Sequence, residues 1–349
     1  MIRVGLIGAG ANTRARHVPG LRAVEGVEIV AVCNRRPEST EAAARELGIA
    51  RTFARWEDLV ADRDIDAVVI GTWPYLHAPI TLAALGAGKH VLTEARMAMN
   101  AAEAHAMLAA ARRHTELVAQ IVPSPFGLTA DAVVRELIAG GYLGQLREVQ
   151  VVHRTAALAD PTAALHWRQD AALSGVNMLT LGIYHETLLR WLPQPVRVMA
   201  QAHAFIAERV DPDSGAKRAV GTPDSVQVLC EWADGARGVY QFSGVTPVGQ
   251  QGHVLLLGSQ GALCYDLVRD RLTGATGPGG IEELKELPVP AEKRGGWRVE
   301  ADFIDSIRAG EPVRHTDFAT GVAYMELTEA VARSAQLGIA VKLPLAGRA

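Results

Sequence analysis

Five short apolar runs, set between amphipathic stretches through the first 122 residues, constrain this chain more than any other feature. They are Arg3–Ile7, Glu28–Cys33, Ala67–Gly71, His90–Leu92 and Leu117–Val122, and the segments between them carry helical periodicity. Strands in a βαβα order form a parallel sheet with helices on both faces. The first βα turn reads VGLIGAGANT. Gly8 permits a tight turn there, and Gly10 lets the backbone approach a pyrophosphate at a helix N-terminus. Thr13 stands where the third glycine of that fingerprint falls, so the turn needs a local adjustment. Residues 1–122 therefore read as a dinucleotide-binding Rossmann domain, with contacts expected from Gly8, Gly10, Ala11, Asn12 and Thr13.

The texture changes at VPSPFG, where Pro123 and Pro125 break the alternation. Residues 123–349 read as a second, α+β domain, to which the family resemblance given below adds substrate binding and oligomerisation. Helices are expected near Thr129–Ala139, Thr180–Leu192, Trp297–Ala309 and Asp317–Leu337. Strands are expected at Leu146–His153, Val226–Trp232, Ala236–Ser243, His253–Leu257 and Ala262–Asp266, while Gly274–Gly280 (GATGPGG) reads as a loop. The expected fold is α/β: a doubly wound parallel sheet, then a large open, mostly antiparallel sheet.

Length and charge narrow the function. At 349 residues the chain exceeds the usual size of a single core. A net charge of −3 without a basic stripe excludes nucleic acid as a main partner. No apolar run is long enough to span a bilayer. Cys33, Cys230 and Cys264 are scattered and odd in number, which fits neither a disulfide framework nor zinc. The histidines show no ligand spacing, so no metal is expected. A strand begins almost at residue 1 and leaves no room for a signal peptide, so a cytoplasmic location is expected.

The second strand ends Val32-Cys33-Asn34-Arg35-Arg36. NAD sites usually place an acidic residue here against the ribose hydroxyls. Asn34 would not repel a 2′-phosphate, and Arg35 and Arg36 offer it charge-assisted hydrogen bonds. NADP is favoured on this ground, with NAD still possible; two solvated arginines on a loop are the alternative.

Taken together, VGLIGAG, VEIVAVCNR, DAVVIGTWPYLHAPITLAALGAGKHVLTEA, HWRQD and DFIDSIRAGEPV make the chain resemble the Gfo/Idh/MocA oxidoreductases nearly end to end. The resemblance implies an N-terminal Rossmann domain, a C-terminal domain whose sheet often joins subunits as a homodimer or homotetramer, and small substrates such as sugars and cyclitols. It also implies cofactor contacts from Thr72, Trp73, His77 and Glu94, His77 being the most structural of these. His166, Trp167 and Arg168 resemble a segment near the substrate pocket. Asn177, beside Ser174 and Gly175, and Thr180 are further substrate-binding candidates.

The departures are local. The family's Glu-Lys-Pro is here Glu94-Ala95-Arg96, and its Asp-x-Gly-x-His is Thr180-Leu181-Gly182-Ile183-Tyr184. The first helix turn, GAGANTRARH, is one residue longer than usual before His17. Arg96 stays charged at physiological pH, so it stabilises a substrate oxygen or holds a carboxylate and does not shuttle protons; a salt bridge to Glu94 is the alternative. Proton transfer then falls to Tyr184 or His185, which flank the apolar stripe of Leu181, Leu188 and Leu192, while Glu186 and Arg190 are expected to face away. Burial of both as core residues is the alternative.

The leading expectation is an NAD(P)-dependent, NADP-preferring oxidoreductase acting on a sugar, polyol or cyclitol derivative by hydride transfer. The altered catalytic positions also keep two other readings open. One is a non-redox lyase, epimerase or hydrolase that uses bound NAD(P) transiently; the other is a cofactor-binding sensor without turnover.

Overall fold

A computed structural model describes residues 1–123 and 128–345; Pro125 of the expected boundary lies outside them. The described chain divides into two compact units: Met1–Pro123 with Leu173–Gly175 and Arg298–Met325, and the remainder. The first unit thus takes in two segments that sequence order had set with the second.

In the first unit, β1 (Ile2–Ile7), β2 (Val27–Cys33), β3 (Arg51–Thr52), β4 (Ala67–Ile70), β5 (His90–Thr93) and β6 (Ala119–Ile121) form one parallel sheet in the order 3-2-1-4-5-6. Its helices are α1 (Val18–Arg22), α2 (Pro37–Leu47), α3 (Trp56–Ala61), α4 (His77–Gly86) and α5 (Ala101–Arg113). The order of strand addition reverses between β1 and β4, the switch point where ligands bind in such sheets. All four residues of β4 are buried, as a strand covered on both faces requires. Lys89 ends the turn before β5 as a buried tie, its Nζ donating to the carbonyls of Asp62 (2.8 Å) and Ile65 (2.7 Å).

The long first turn has a specific form. Thr13–His17 is a π-helical segment running straight into α1. One extra residue in a helix is accommodated as a single π turn, and such turns concentrate at functional sites.

The second unit opens with α6 (Asp131–Ala139) and β7 (Leu146–Arg154), then α7 (Ala171–Ser174), whose last two residues belong to the first unit, and α8 (Leu181–Leu189). A series of strands follows: β8 (Arg197–His203), β9 (Glu208–Val210), β10 (Lys217–Ala219), β11 (Ser225–Glu231), β12 (Arg237–Ser243), β13 (Gln251–Gly258), β14 (Gly261–Asp266), β15 (Arg271–Thr276) and β16 (Lys285–Glu286). The chain ends with α9 (Val299–Ala309) in the first unit, α10 (Phe318–Leu337) and β17 (Val341–Lys342). Nine strands make one sheet in the order 16-15-14-13-7-12-11-8-17, antiparallel throughout except where β7 lies parallel to β12. The inner face alternates with period two: Val149 and Val151 of β7 and Tyr240 and Phe242 of β12 pack with Leu181, Tyr184 and Leu188 of α8.

Two expectations are corrected. The loop expected at Gly274–Gly280 begins inside β15, whose Gly274 pairs with Leu263 and Lys285. Gly274 is a packing glycine there, since a Cβ would meet Leu287 at 2.8 Å and the Tyr142 hydroxyl at 2.9 Å. Glu186 does not face away either: it is buried, and it takes the Arg190 guanidinium at 2.8 Å. Among the described residues no helix is long and apolar enough to cross a membrane.

Gly71, just past β4, decides how closely the first βα turn approaches. A Cβ on Gly71 would lie 2.2 Å from Thr13 Oγ1 and 2.3 Å from the Gly8 carbonyl oxygen. Gly71→Ala is therefore expected to cost about 1–3 kcal/mol, in the range of overpacked sites, and to weaken dinucleotide binding at least tenfold. Thermal unfolding and fluorescence titration with NADPH check both.

Candidate functional site

The glycine turn is held by side chains rather than by a third glycine. Gly8 has φ +89°, and Thr13 Oγ1 donates to its carbonyl at 2.9 Å. Gly10 is open: a Cβ there would meet nothing nearer than the Gly71 carbonyl oxygen at 3.7 Å. The helix begins at Ala11, immediately after it. This is a cradle that a phosphate fills and a side chain would narrow. Asn34 locks the turn to the end of β2, accepting from the Ala9 N–H (2.7 Å) and donating to the Ser39 carbonyl (2.9 Å). The position that usually carries the ribose-binding acid is thus committed to structure here.

Beside it, beyond the carboxyl ends of β1, β2 and β4, lies a 620 Å³ pocket. Its walls include Gly8, Asn34, Arg35, Arg36, Thr72 and Trp73, all expected from the sequence. Arg35 lies over the Trp73 ring at 5.4 Å, a cation–π distance that builds one flat wall. Arg55, Trp56 and Glu57, from the start of α3, complete the pocket and were not anticipated. Arg55 and Glu57 pair at 3.5 Å. With three guanidiniums against one carboxylate, the pocket is cationic. These residues fit a dinucleotide in shape and charge.

His77 is buried, with Nδ1 2.9 Å from the Arg96 carbonyl and Nε2 3.0 Å from the Thr72 carbonyl. Burial lowers its pKa, and a neutral ring donates through one nitrogen at a time. It lies between the loops after β4 and β5, within reach of a carbonyl from each and donating to one of them. Arg96 is also buried, and the Ala95–Arg96 peptide is cis.

A cluster absent from the sequence reading lies behind the turn. His17, fully buried at the end of the π segment, places Nε2 2.9 Å from Glu94 and Nδ1 2.5 Å from Glu300 of α9. Asn12 donates to the same Glu94 oxygen. Burial alone would depress the His17 pKa, but the two carboxylates more than offset it and hold it at about 9. Burial would likewise raise the Glu94 carboxyl; His17 and Asn12 outweigh it and keep the group below its usual range. Glu300 fits because Gly20 of α1 faces it, where a Cβ would lie 2.5 Å from its carboxylate. The only sequence signal was the extra residue before His17.

In the second unit a 460 Å³ pocket gathers His166, Arg168 and Thr180, three of the expected substrate residues. Trp167 stands behind Arg168, whose guanidinium lies 4.2 Å over its ring. His153, Arg209 and Thr222 line the same pocket and were missed. Asn177 is buried and is not among the lining residues. Nor are the two expected proton carriers. Tyr184 is fully buried beside Phe242, and burial raises its pKa further. His185 is held between the Tyr240 hydroxyl (3.2 Å) and Gln194 Oε1 (2.8 Å), with burial pushing its pKa down to about 4. The arrangement makes both of them core residues of α8.

The family described as an oxidoreductase family with an NAD-binding Rossmann fold matches residues 2–121, and the GFO/IDH/MocA C-terminal domain matches residues 132–264. The chain belongs to the Gfo/Idh/MocA family. Levoglucosan dehydrogenase of Pseudarthrobacter phenanthrenivorans is 25% identical over 381 aligned positions, 96% of each chain. The 1,5-anhydro-D-fructose reductase of Ensifer adhaerens is 33% identical over 207 residues, 58% of this chain and 61% of that protein. An uncharacterised oxidoreductase of Rhizobium meliloti is matched over 59% of its length. Among solved structures, an oxidoreductase domain protein from Kribbella flavida superposes with TM-score 0.87 at 25% identity, covering 99% of this chain and 100% of that one. A levoglucosan dehydrogenase in complex with NADH and L-sorbose shares the fold at TM-score 0.87 and 24% identity, covering 99% of each chain. Within this Gfo/Idh/MocA chain, the Glu94–Arg96 and Thr180–Tyr184 segments carry the departures from the family's sequence pattern.

The His17 cluster makes a pH-dependent contribution to stability. A pKa raised from 6.5 to about 9 stabilises the fold fully below pH 6.5, and the contribution is lost as pH rises through 9. Wild-type protein should lose on the order of 1–3 kcal/mol across that window. His17→Gln should be less stable at pH 6 and nearly flat from pH 6.5 to 9. Urea unfolding at pH 6, 7.5 and 9 checks the sign.

Proposed function

We propose that this chain is an NADP-preferring oxidoreductase that transfers a hydride between the nicotinamide and a hydroxyl-bearing carbon of a sugar, polyol or cyclitol derivative. The observation that carries it is the cationic pocket at the end of β2, joined to an open glycine cradle in a Gfo/Idh/MocA chain. Gly8, Gly10, Ala11, Asn12 and Thr13 hold the pyrophosphate end. Arg36 and Arg55 take the 2′-phosphate, and Arg35 on Trp73 covers the adenosine. Each charge-assisted contact contributes about 1.5–3 kcal/mol when well formed. The bound nicotinamide supplies the hydride acceptor. Glu94, fixed by His17 and Asn12, presents a carboxylate to the cofactor's polar groups, and Arg96 offers positive charge to a ligand oxygen without exchanging a proton. His166, Arg168 and Thr180 supply donors and acceptors for a hydroxylated substrate. The named relatives, levoglucosan dehydrogenase and 1,5-anhydro-D-fructose reductase, make anhydrosugars the first compounds to offer.

We propose also that the protein works as a homo-oligomer joined through its nine-stranded sheet. Met199, Leu229 and Val239 stand side by side across β8, β11 and β12, exposed by 47%, 57% and 38%. A second copy covers this apolar row. Leu229→Arg is expected to shift the protein toward monomer in size-exclusion chromatography with light scattering; an unchanged mass would place the interface elsewhere.

Mixing enzyme and NADP⁺ with levoglucosan and with pools of sugars and cyclitols, and 1,5-anhydro-D-fructose with NADPH, tests the activity by absorbance of the reduced nicotinamide. Turnover with one compound is expected. Product without net nicotinamide change would indicate transient redox chemistry instead. Arg36→Ala should weaken NADP⁺ binding 10- to 100-fold and leave NAD⁺ binding within about threefold. Equal losses for both would remove the NADP preference.

A further inference from the structure

The residues that replace the family's Asp-x-Gly-x-His leave that stretch without an imidazole in the pocket, yet the structure places one there from another element. His153 sits at the end of β7, on the inner face that carries Val149 and Val151. At the next inward position the apolar row gives way to a half-buried ring that lines the second unit's pocket. Its Nδ1 lies 2.8 Å from Thr180 Oγ1, where the family's aspartate would stand. Its ring packs against Tyr184, where the family's histidine would stand, at 5.0 Å.

The surrounding backbone keeps this ring in place. Gly252 of β13 pairs with His153 across the sheet, and a Cβ there would lie 2.6 Å from the Tyr184 hydroxyl and 3.3 Å from the His153 ring. On the other side, Phe242 of β12 is its partner in register, with the rings 6.5 Å apart. Leu179, immediately before Thr180, is held at φ +46°, a conformation that bulky residues rarely adopt and that concentrates at functional sites. Leu179 and Thr180 both line the pocket.

We infer that His153 is the proton-transferring residue of this enzyme, with Thr180 as its positioning residue, so that the catalytic imidazole has moved from helix α8 to strand β7. This rests on the redox reading above. In the oxidising direction the hydride leaves the carbinol carbon for the nicotinamide of NADP⁺. The O–H bond breaks and its proton passes to His153 Nε2, and the C–O bond becomes a carbonyl. Nδ1–H donates to Thr180 Oγ1, which leaves the Nε2 lone pair for the substrate hydroxyl. Reduction runs the same transfer backwards from the imidazolium. The charged or titratable groups facing His153 are the Tyr184 phenol on α8 and, on the pocket walls, His166, Arg168 and Arg209; β12 and β13 present Phe242 and Gly252. Among the described residues no carboxylate lines the pocket, and burial lowers the His153 pKa, which favours the neutral ring.

The test combines histidine ¹⁵N NMR with kinetics on the full chain. The His153 signals are assigned by their loss in His153→Gln. The expected result is an Nδ1–H tautomer titrating below pH 6.5, altered in Thr180→Val. With whichever compound turns over, His153→Gln should lower kcat at least 100-fold and abolish the acidic limb of the kcat/KM profile. Thr180→Val should lower kcat with KM within about threefold and shift that limb. An Nε2–H tautomer, a ring charged at pH 7, or a His153→Gln enzyme within tenfold of wild type would overturn the inference. If no compound turns over, the redox reading fails and the inference falls with it; turnover with a charged or Nε2–H ring overturns the inference alone. Thr180→Val, which removes only a hydroxyl, keeps the test valid if His153→Gln misfolds.

Discussion

The close approach of Gly8 to Gly71 is the constraint around which the first unit is built. The ends of β1 and β4 meet backbone to backbone at the sheet's switch point, and Thr13 sets its hydroxyl into the same space. This contact fixes where the first helix starts and how far the π segment must turn to deliver His17. From His17 the order passes to Glu94 at the end of β5 and to Glu300 on α9, so residues far apart in sequence share one buried charge cluster. Removing one member of such a cluster strands the others without compensation, which is why these groups act as a unit.

The parallel sheet, the glycine turn and the cationic end of β2 were legible because local signals carry them: apolar runs of strand length, a G-x-G at a strand end, and adjacent arginines. The helix stripes of α6, α8, α9 and α10 were legible for the same reason. Hidden features depend on distant partners. Arg55 reaches the pocket at the end of β2 from the start of α3, and nothing in its neighbourhood announces this. Glu300 has meaning only beside His17. Gly274 reads as a turn glycine in GATGPGG, while in the structure Leu287 and Tyr142 take up the space a side chain would need.

The reading of α8 shows why an inward direction is not a role. Tyr184 and His185 both point inward, as their spacing from Leu181 and Leu188 requires. Inward on this helix is the apolar floor of the sheet, and the pocket opens beyond the helix's first turn, at Thr180. A strand alternates every second residue, so His153 falls in the row of Val149 and Val151 and reaches the pocket where that row runs out. Helical periodicity found the face; strand periodicity was needed to find the imidazole.

The lone parallel pair in the large sheet has a consequence for how the chain assembles. β11–β12, β13–β14 and β14–β15 are neighbours in sequence and close through short turns. β7 sits at the centre of the sheet, yet both of its partners, β12 and β13, are made more than eighty residues later. Closing that long loop costs entropy before any ladder bond repays it. The local hairpins close at the smaller entropic cost, and β7 is the seam that joins the two leaves they make. The strand that carries His153 is thus held by the least local pairings of the central sheet, and the pocket it lines depends on contacts with the highest loop-closure cost.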